Sequence, residues 1–202
     1  MPYRFTSPST QIEIYIGFDK FENENLIKYA FPGDIWFHVD KFSSAHVYCR
    51  TLGEFTFDTL PESLIEEAAE LTKSNSIEGC KQSRVCIIYT PADNLLKSGD
   101  MDVGTVGYKN DQLVKRTYVD SKNREMLKDF KRQIIEDRDY DFYSEKINYE
   151  AGIKNAEKAV KRAERNKQKA EMAEKLKQKK EMDYSHLYQN VQEQQGDVED
   201  FF

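Results

Sequence analysis

The chain has 202 residues, of which 39% are apolar and 33% charged, with a net charge of −6, and this suits one domain with an extension. No apolar run reaches the roughly 18 residues of a membrane span, and three widely spaced cysteines (Cys49, Cys80, Cys86) argue against a disulfide framework. Without a signal-peptide pattern, we expect a cytoplasmic protein with free thiols. A nuclear location and recruitment to a membrane through a partner stay open.

Short strands and helices are predicted near the start of the chain. Alternating apolar residues predict strands from Pro2 to Thr6 and from Gln11 to Gly17. Helical spacing follows from Glu22 to Tyr29. Pro32-Gly33 then marks a turn before the next strand.

The segment 34–50 carries the most information, because it holds the only tryptophan and two of the three histidines. The two-residue period of a strand puts Ile35, Phe37 and Val39 on one face and different chemistry on the other. After a turn the alternation returns. If the two strands pair as a hairpin, one surface combines aromatic, imidazole and cationic side chains: Trp36, His38, His46, Tyr48 and Arg50. This surface is either a ligand-binding face or a second core layer that a helix covers.

Later elements complete a mixed fold. Thr59-Leu60-Pro61-Glu62 predicts a helix start with Thr59 as its cap, and Gly79 predicts its end. A continuous apolar strand is predicted from Val85 to Tyr89, with further strands at 105–108 and 114–119. The irregular order of these elements predicts an α+β fold with a mostly antiparallel sheet and packed helices.

The C-terminal third is different in character. Residues 151–180 hold 11 Lys and Arg against 4 Asp and Glu, a net charge of +7, and their composition predicts a long charged helix. We expect a domain over 1–135, a charged helical extension over 136–188 and a disordered acidic tail over 189–202. Charged residues interrupt the apolar spacing, so both a solvated single helix and a coiled coil stay open.

His38 and His46, with Asp34 and Asp40 nearby, raise the question of a metal site or of acid–base catalysis. Two imidazoles and a carboxylate can bind zinc or iron, but this spacing is not a recognised metal signature. No nucleophile or oxyanion group accompanies the histidines. We therefore expect structural histidines, no metal, no cofactor and no catalytic residue.

Several segments in the same order resemble the NFACT-R domain family. They are Gly17 to Leu26, Asp34 to Tyr48, Lys73 to Lys81, Tyr89-Thr90-Pro91 and Met101 to Gly104. Phe18 stands where the family usually has a basic residue. The resemblance implies nucleic-acid binding: RNA in the large members, which bind ribosomes and tRNA when stalled nascent chains are handled, with DNA binding also attributed to stand-alone members. Nothing in the resemblance points to catalysis.

The sequence thus predicts a non-enzymatic nucleic-acid-binding protein, with RNA, such as tRNA or ribosomal RNA, as the first ligand and DNA as the second. The aromatic and histidine face would stack bases, and the basic helix would attract phosphates. The candidate residues are Lys20, Asn23, Trp36, His38, Ser44, His46, Tyr48, Arg50, Lys81, Lys158, Lys161, Arg162 and Arg165. The alternative is an adaptor whose C-terminal helix pairs with a partner protein or with a second copy.

Overall fold

A computed structural model describes residues 3–120, 123–136 and 141–199. The strands in that part of the chain are β1 Tyr3–Thr6, β2 Glu13–Ile16, β3 Ile35–Val39, β4 Val47–Arg50, β5 Val85–Pro91, β6 Leu95–Leu96, β7 Gly107–Tyr108, β8 Lys115–Val119 and β9 Ile135–Glu136. The helices are α1 Lys20–Tyr29, α2 Glu62–Ser74, α3 Arg124–Gln133 and α4 Phe142–Glu199. Short 3-10 turns lie at Gly79–Lys81, Ala92–Asn94 and Asp111–Leu113.

Seven strands form one sheet in the order β8-β5-β3-β4-β2-β1-β9, and neighbouring strands are antiparallel. β6 and β7 form a separate two-stranded ribbon. The prediction of an α+β fold with a mostly antiparallel sheet and a long C-terminal helix is confirmed.

The sheet carries packed side chains on both faces. On its core face, Phe37 and Val47 pack with Leu64 of α2 and Phe130 of α3. On its second face, a smaller apolar cluster joins strand residues to α1 and to the segment around β6: Tyr15, Leu26, Trp36, Tyr48, Ile88, Ala92 and Leu95. The sheet is therefore the middle layer of the domain, which decides how much of each face a ligand can reach.

The ends of α2 differ from the prediction. The helix begins at Glu62, and Pro61 at its N-cap position provides no side-chain hydrogen bond. Thr59 Oγ1 instead accepts a hydrogen bond of 2.9 Å from the Thr56 amide, so it closes the preceding turn. The prediction of Thr59 as the cap is therefore wrong. The helix also ends at Ser74, before the predicted stop at Gly79.

The chain divides into two compact units, Met1–Ile147 and Asn148–Phe202. α4 begins in the first unit and continues to Glu199, past residue 189, where the sequence placed the start of an acidic tail. Residues 200–202 of that tail lie outside the described residues, and the predicted domain boundaries stay predictions. None of the described helices has the length and apolarity needed to cross a membrane.

Candidate functional site

The predicted hairpin is present. β3 and β4 pair antiparallel, with Trp36 opposite Tyr48 and Phe37 opposite Val47. Because paired residues point to the same side of a sheet, the aromatic and polar residues of both strands share the second face. The apolar residues of both strands lie on the core face, as their alternation predicted.

The predicted binding face is covered, however. Its exposed fractions are small: Trp36 1%, Tyr48 0%, His46 2% and Arg50 5%. The side chains that pack over this cluster come from α1, from the segment around β7 and from the start of α4: Leu26, Val106, Tyr108 and Phe142. The expectation of an open stacking surface is therefore wrong, because a base cannot reach the rings of Trp36 or Tyr48 without displacing this layer.

His38 is the one member of this face that is only half-buried. Its ring stacks on Trp36 with centroids 5.4 Å apart, and the His46 ring stands perpendicular to it at 5.3 Å. Its Nδ1 lies 2.7 Å from the Val39 carbonyl oxygen. His38 also lines a cleft of about 390 Å³. Trp36 and His46 thus hold His38 in position beside this opening.

Both imidazoles are neutral at pH 7. Burial, and to a smaller extent the neighbouring His38, lower the pKa of His46 to about 3. Burial also lowers the pKa of His38, although the hydrogen bonds that its ring donates to the backbone of Val39 and Ser44, and the carboxylate of Asp40, act in the other direction. Neutral imidazoles can stack or form hydrogen bonds, but they do not attract phosphate as cations.

Replacing His46 with glutamine is expected to make the stability of the protein less sensitive to acid. The unfolded chain protonates this imidazole near its ordinary pKa of 6.5, whereas the folded chain does so only near 3. The stability that this group contributes is therefore complete above pH 6.5 and is lost as the pH falls toward 3. Between pH 7.5 and pH 5 the loss is on the order of 2 kcal/mol.

Urea denaturation of the wild type and of His46→Gln at these two pH values measures this difference. Burial raises the pKa of Asp34 to about 6, so that group gives the opposite pH dependence, but it does so in both proteins and cancels in the comparison. The wild type should lose about 2 kcal/mol more than the variant on acidification. Equal losses of stability in the two proteins would contradict the lowered pKa of His46 in the folded state.

Arg50 is held by the protein itself. Its guanidinium lies 2.9 Å from a carboxylate oxygen of Glu145, at the start of α4, and 3.8 Å from Asp34. It also stacks on the ring of Phe31, 3.7 Å from the centroid. Asp34 in turn accepts hydrogen bonds from the Tyr15 hydroxyl and the Phe31 amide. Arg50 therefore fixes the first turns of α4 to the sheet, and its charge is largely satisfied inside the domain.

Three other predicted residues come together at the start of α1. Lys20, Asn23 and Ser44 line one cleft of about 440 Å³. Lys20 is exposed and Asn23 is buried, while Ser44 Oγ accepts a hydrogen bond of 3.1 Å from the Val39 amide. Lys20 is thus the member of the three that offers a charge to a ligand.

The amides at the start of α1 already have carboxylate partners. Asp19 caps the helix by accepting hydrogen bonds from the amides of Phe21 and Glu22, at 3.0 and 2.8 Å. The Glu22 carboxylate accepts one of 2.6 Å from the Phe18 amide. These carboxylates satisfy the positive end of the helix dipole, so the helix start is not itself a phosphate cradle.

The remaining candidates lie elsewhere. Lys81 is in the turn Gly79–Lys81, where its ammonium lies 3.2 Å from Glu78. The four basic residues of α4 are exposed and belong to the second unit. Their spacing of three and four residues places them on one side of the helix: Lys158, Lys161, Arg162 and Arg165.

A further basic cleft was missed from the sequence. It has a volume of about 360 Å³ and lies where β8, β5 and the turn after β3 meet, and its lining includes Lys41, Arg84, Arg116 and Tyr118. The two-residue period of the strand predicted at 114–119 was the available signal, because it would put Arg116 and Tyr118 on one face. What the sequence did not provide was the pairing of β8 with β5.

Comparison with known proteins identifies the family. The family described as the NFACT protein RNA binding domain matches residues 1–110. The chain is 40% identical to coiled-coil domain-containing protein 25 of Bos taurus over 95% of this chain and 91% of that protein. It is also 42% identical to Protein JLP2 of Saccharomyces cerevisiae over 52% of each chain.

The fold has a counterpart among solved structures. The C-terminal part of the fibronectin/fibrinogen-binding protein of Streptococcus suis superposes with a TM-score of 0.54 at 22% identity, over 66% of this chain and 49% of that one. At this identity the similarity concerns the fold alone. With the family match over residues 1–110, and with relatives 40% and 43% identical that it matches over 91% and 77% of their length, the chain belongs to the NFACT RNA-binding domain family, as a relative of coiled-coil domain-containing protein 25.

Proposed function

We propose that this protein binds single-stranded segments of nucleic acid, with RNA as the preferred ligand, and that it has no enzymatic activity. Membership of an RNA-binding domain family supports nucleic-acid binding at the level of the family. The observation that carries the proposal for this chain is the exposed basic side of α4, in a segment with a net charge of +7. A positive helix on an otherwise acidic protein attracts phosphates without regard to sequence.

In this proposal the domain contributes contacts of a different kind. Lys20 offers a cation in the cleft at the start of α1, beside Asn23 and Ser44. His38 offers a neutral ring at the rim of its own cleft. Trp36, His46 and Tyr48 act by positioning, because they lie beneath the surface. The first 120 residues carry 12 Lys and Arg against 18 Asp and Glu, so the net charge of the domain does not attract phosphates. In this proposal the domain therefore selects among the ligands that α4 attracts.

The proposal also specifies the type of nucleic acid and the cellular compartment. We propose RNA before DNA, tRNA or ribosomal RNA as the cellular ligand, and the cytoplasm as the compartment. The family description supports RNA. The choice of tRNA or ribosomal RNA rests on the sequence resemblance to the large, ribosome-associated members alone. Among the described residues, no cluster of His, Cys, Asp and Glu could hold a metal ion.

Fluorescence anisotropy with labelled single-stranded RNA and DNA of the same sequence tests the proposal. The whole 202-residue chain should bind both at 50 mM salt, and the logarithm of the affinity should fall linearly with the logarithm of the salt concentration. RNA should bind more tightly, since only RNA carries the 2′-hydroxyl. An absence of binding at low salt, or an affinity that salt does not change, would reject the proposal.

The adaptor alternative has one observation in its favour. α4 exposes large apolar side chains, among them Met172, Leu176 and Met182, which a partner helix could cover. Pairing of this kind survives moderate salt and depends on protein concentration. Sedimentation of the protein without nucleic acid at 50 and 300 mM salt therefore separates the two functions: a salt-resistant dimer favours the adaptor.

A further inference from the structure

The second face of the sheet has an uncovered corner at its β8 end. β8 is the last strand in the sheet order, and its Arg116 and Tyr118 both point to the second face. Tyr118 lies opposite Cys86 of β5, and Arg116 lies opposite Ile88, which is itself opposite His38 of β3. The layer that buries Trp36 does not extend this far, because 55% of Tyr118 remains exposed.

Cations surround this tyrosine. The Arg84 guanidinium lies 4.6 Å from the centroid of its ring. Arg116 is two residues away on the same face, and Lys41 is exposed in the turn after β3. All four side chains line the cleft of about 360 Å³, and we refer to Lys41, Arg84, Arg116 and Tyr118 as the β8 corner.

Two acidic residues form ion pairs with these cations. Arg84 Nε lies 3.4 Å from Asp120, and Arg116 Nε lies 3.9 Å from Asp40. Both arginines are more than half exposed, and exposed ion pairs of this kind contribute little to stability. Bidentate hydrogen bonds from arginine to a phosphate are stronger, so a phosphate can displace these carboxylates. The corner is therefore cationic within a domain that is acidic as a whole.

The cleft continues toward the predicted face. Asp40, Lys41 and Phe42 line both this cleft and the neighbouring one of about 390 Å³ that holds His38 and Tyr108. A ligand that follows both would meet cations and an exposed ring first, then neutral rings. This order of side chains suits a short single strand of nucleic acid, because its phosphates are anionic and its bases are flat and uncharged.

We propose that the β8 corner binds one or two nucleotides of a single-stranded nucleic acid. A base stacks on Tyr118, Arg84 and Arg116 bind the adjacent phosphate, and Lys41 guides the strand toward His38. This inference rests on the proposed function and specifies where the domain contacts bases. An acidic peptide would use the cations alone, whereas a nucleic acid uses the cations and the ring together.

Two variants of the whole 202-residue chain separate the contributions of the ring and of the cations. Tyr118→Leu keeps an apolar side chain on an exposed strand position and removes the stacking ring. We expect the affinity for a labelled single-stranded RNA 12-mer to fall about 5-fold or more, with an unchanged salt slope. Arg84→Gln with Arg116→Gln should weaken binding and lower the salt slope by about 1.4, the value for two lost phosphate contacts.

Matched controls come from exposed residues elsewhere. Tyr184→Leu removes a tyrosine of similar exposure, 64% against 55% for Tyr118, from α4, and Lys128→Gln with Arg132→Gln removes two charges from α3. The Tyr184 control should change affinity less than Tyr118→Leu does, and the α3 control less than the Arg84 and Arg116 pair. The same titrations with a DNA 12-mer of identical sequence show whether the β8 corner distinguishes ribose from deoxyribose.

Photo-crosslinking provides an independent measurement. Ultraviolet irradiation of the wild-type complex followed by trypsin should place a nucleotide adduct on the peptide 117–122, which contains Tyr118 and follows the cleavage site at Arg116. If the wild type binds RNA in a salt-dependent way but the corner variants match their controls and no such adduct forms, the corner proposal falls and the proposed function stands. If only the arginine variant loses affinity, the corner is an anion patch and the stacking proposal is overturned. If the wild type does not bind, both proposals fall.

Discussion

Replacing Lys158, Lys161, Arg162 and Arg165 with glutamine is expected to weaken the binding of single-stranded RNA about 200-fold at 0.15 M salt. Each phosphate contact of a single strand releases about 0.7 counterion, so four lost contacts also lower the salt slope by about 3. Glutamine has nearly the helix propensity of lysine and arginine, so α4 should remain helical. Anisotropy titrations from 50 to 300 mM salt measure both quantities, and circular dichroism checks the helix.

The control for this variant removes the same charge from a different arrangement. Lys175, Lys177, Lys179 and Lys180 are spread around the helix, whereas the four test residues fall within about 100° of its circumference. Their replacement with glutamine should therefore cost less affinity, since fewer of them can reach one strand together. Equal losses would show that net charge alone matters and would contradict a defined basic side.

Replacing Arg50 with methionine is expected to destabilise the domain by about 3–5 kcal/mol, the usual cost of leaving one partner of a buried ion pair alone. The residue that would be left is Asp34, which is buried and whose pKa is already raised to about 6 by burial despite the presence of Arg50. The first turns of α4 would also lose the bond from Arg50 to Glu145. Urea denaturation at pH 7.5 measures the change.

The pH dependence of the stability loss in Arg50→Met identifies its cause. Without Arg50, the pKa of Asp34 should rise further, because Arg50 is the group that lowers it most. A carboxyl group with a raised pKa in the folded state favours folding more as the pH falls, so the defect should be smaller at pH 5 than at pH 7.5. Adding Asp34→Asn should restore part of the stability at pH 7.5. A defect that is equal at both pH values and unchanged by Asp34→Asn would exclude the buried charge as its cause.

Local patterns predicted much of the candidate site. The two-residue period assigned Ile35 and Trp36 to opposite faces, and the structure confirms that assignment, because each strand alternates independently of what covers it. The pattern could not say which face a second layer would bury. Leu26 and Phe142 lie 10 residues before and 106 residues after Trp36 in the chain, and no periodicity links such distant segments.

Arg50 and Thr59 illustrate the same limit for single residues. Arg50 in a strand beside aromatic residues is typical of a nucleic-acid contact, but Glu145, its partner, is 95 residues away in the sequence. Thr59 three residues before Glu62 is typical of a helix cap, but its hydroxyl is used by Thr56. In both cases the residue type was suited to the predicted role, and a competing partner brought close by the fold changed the role.

By itself the sequence determined the alternating faces of β3 and β4, the mixed fold, the family and the basic side of α4, because each depends on residues close together in the chain. The tertiary structure decided that Trp36 lies beneath a second layer, that Arg50 binds Glu145 in the first turn of α4, and that Arg84, Arg116 and Lys41 line one cleft with Tyr118. These follow from strand pairing and layer packing, in which partners dozens of residues apart compete for the same surfaces.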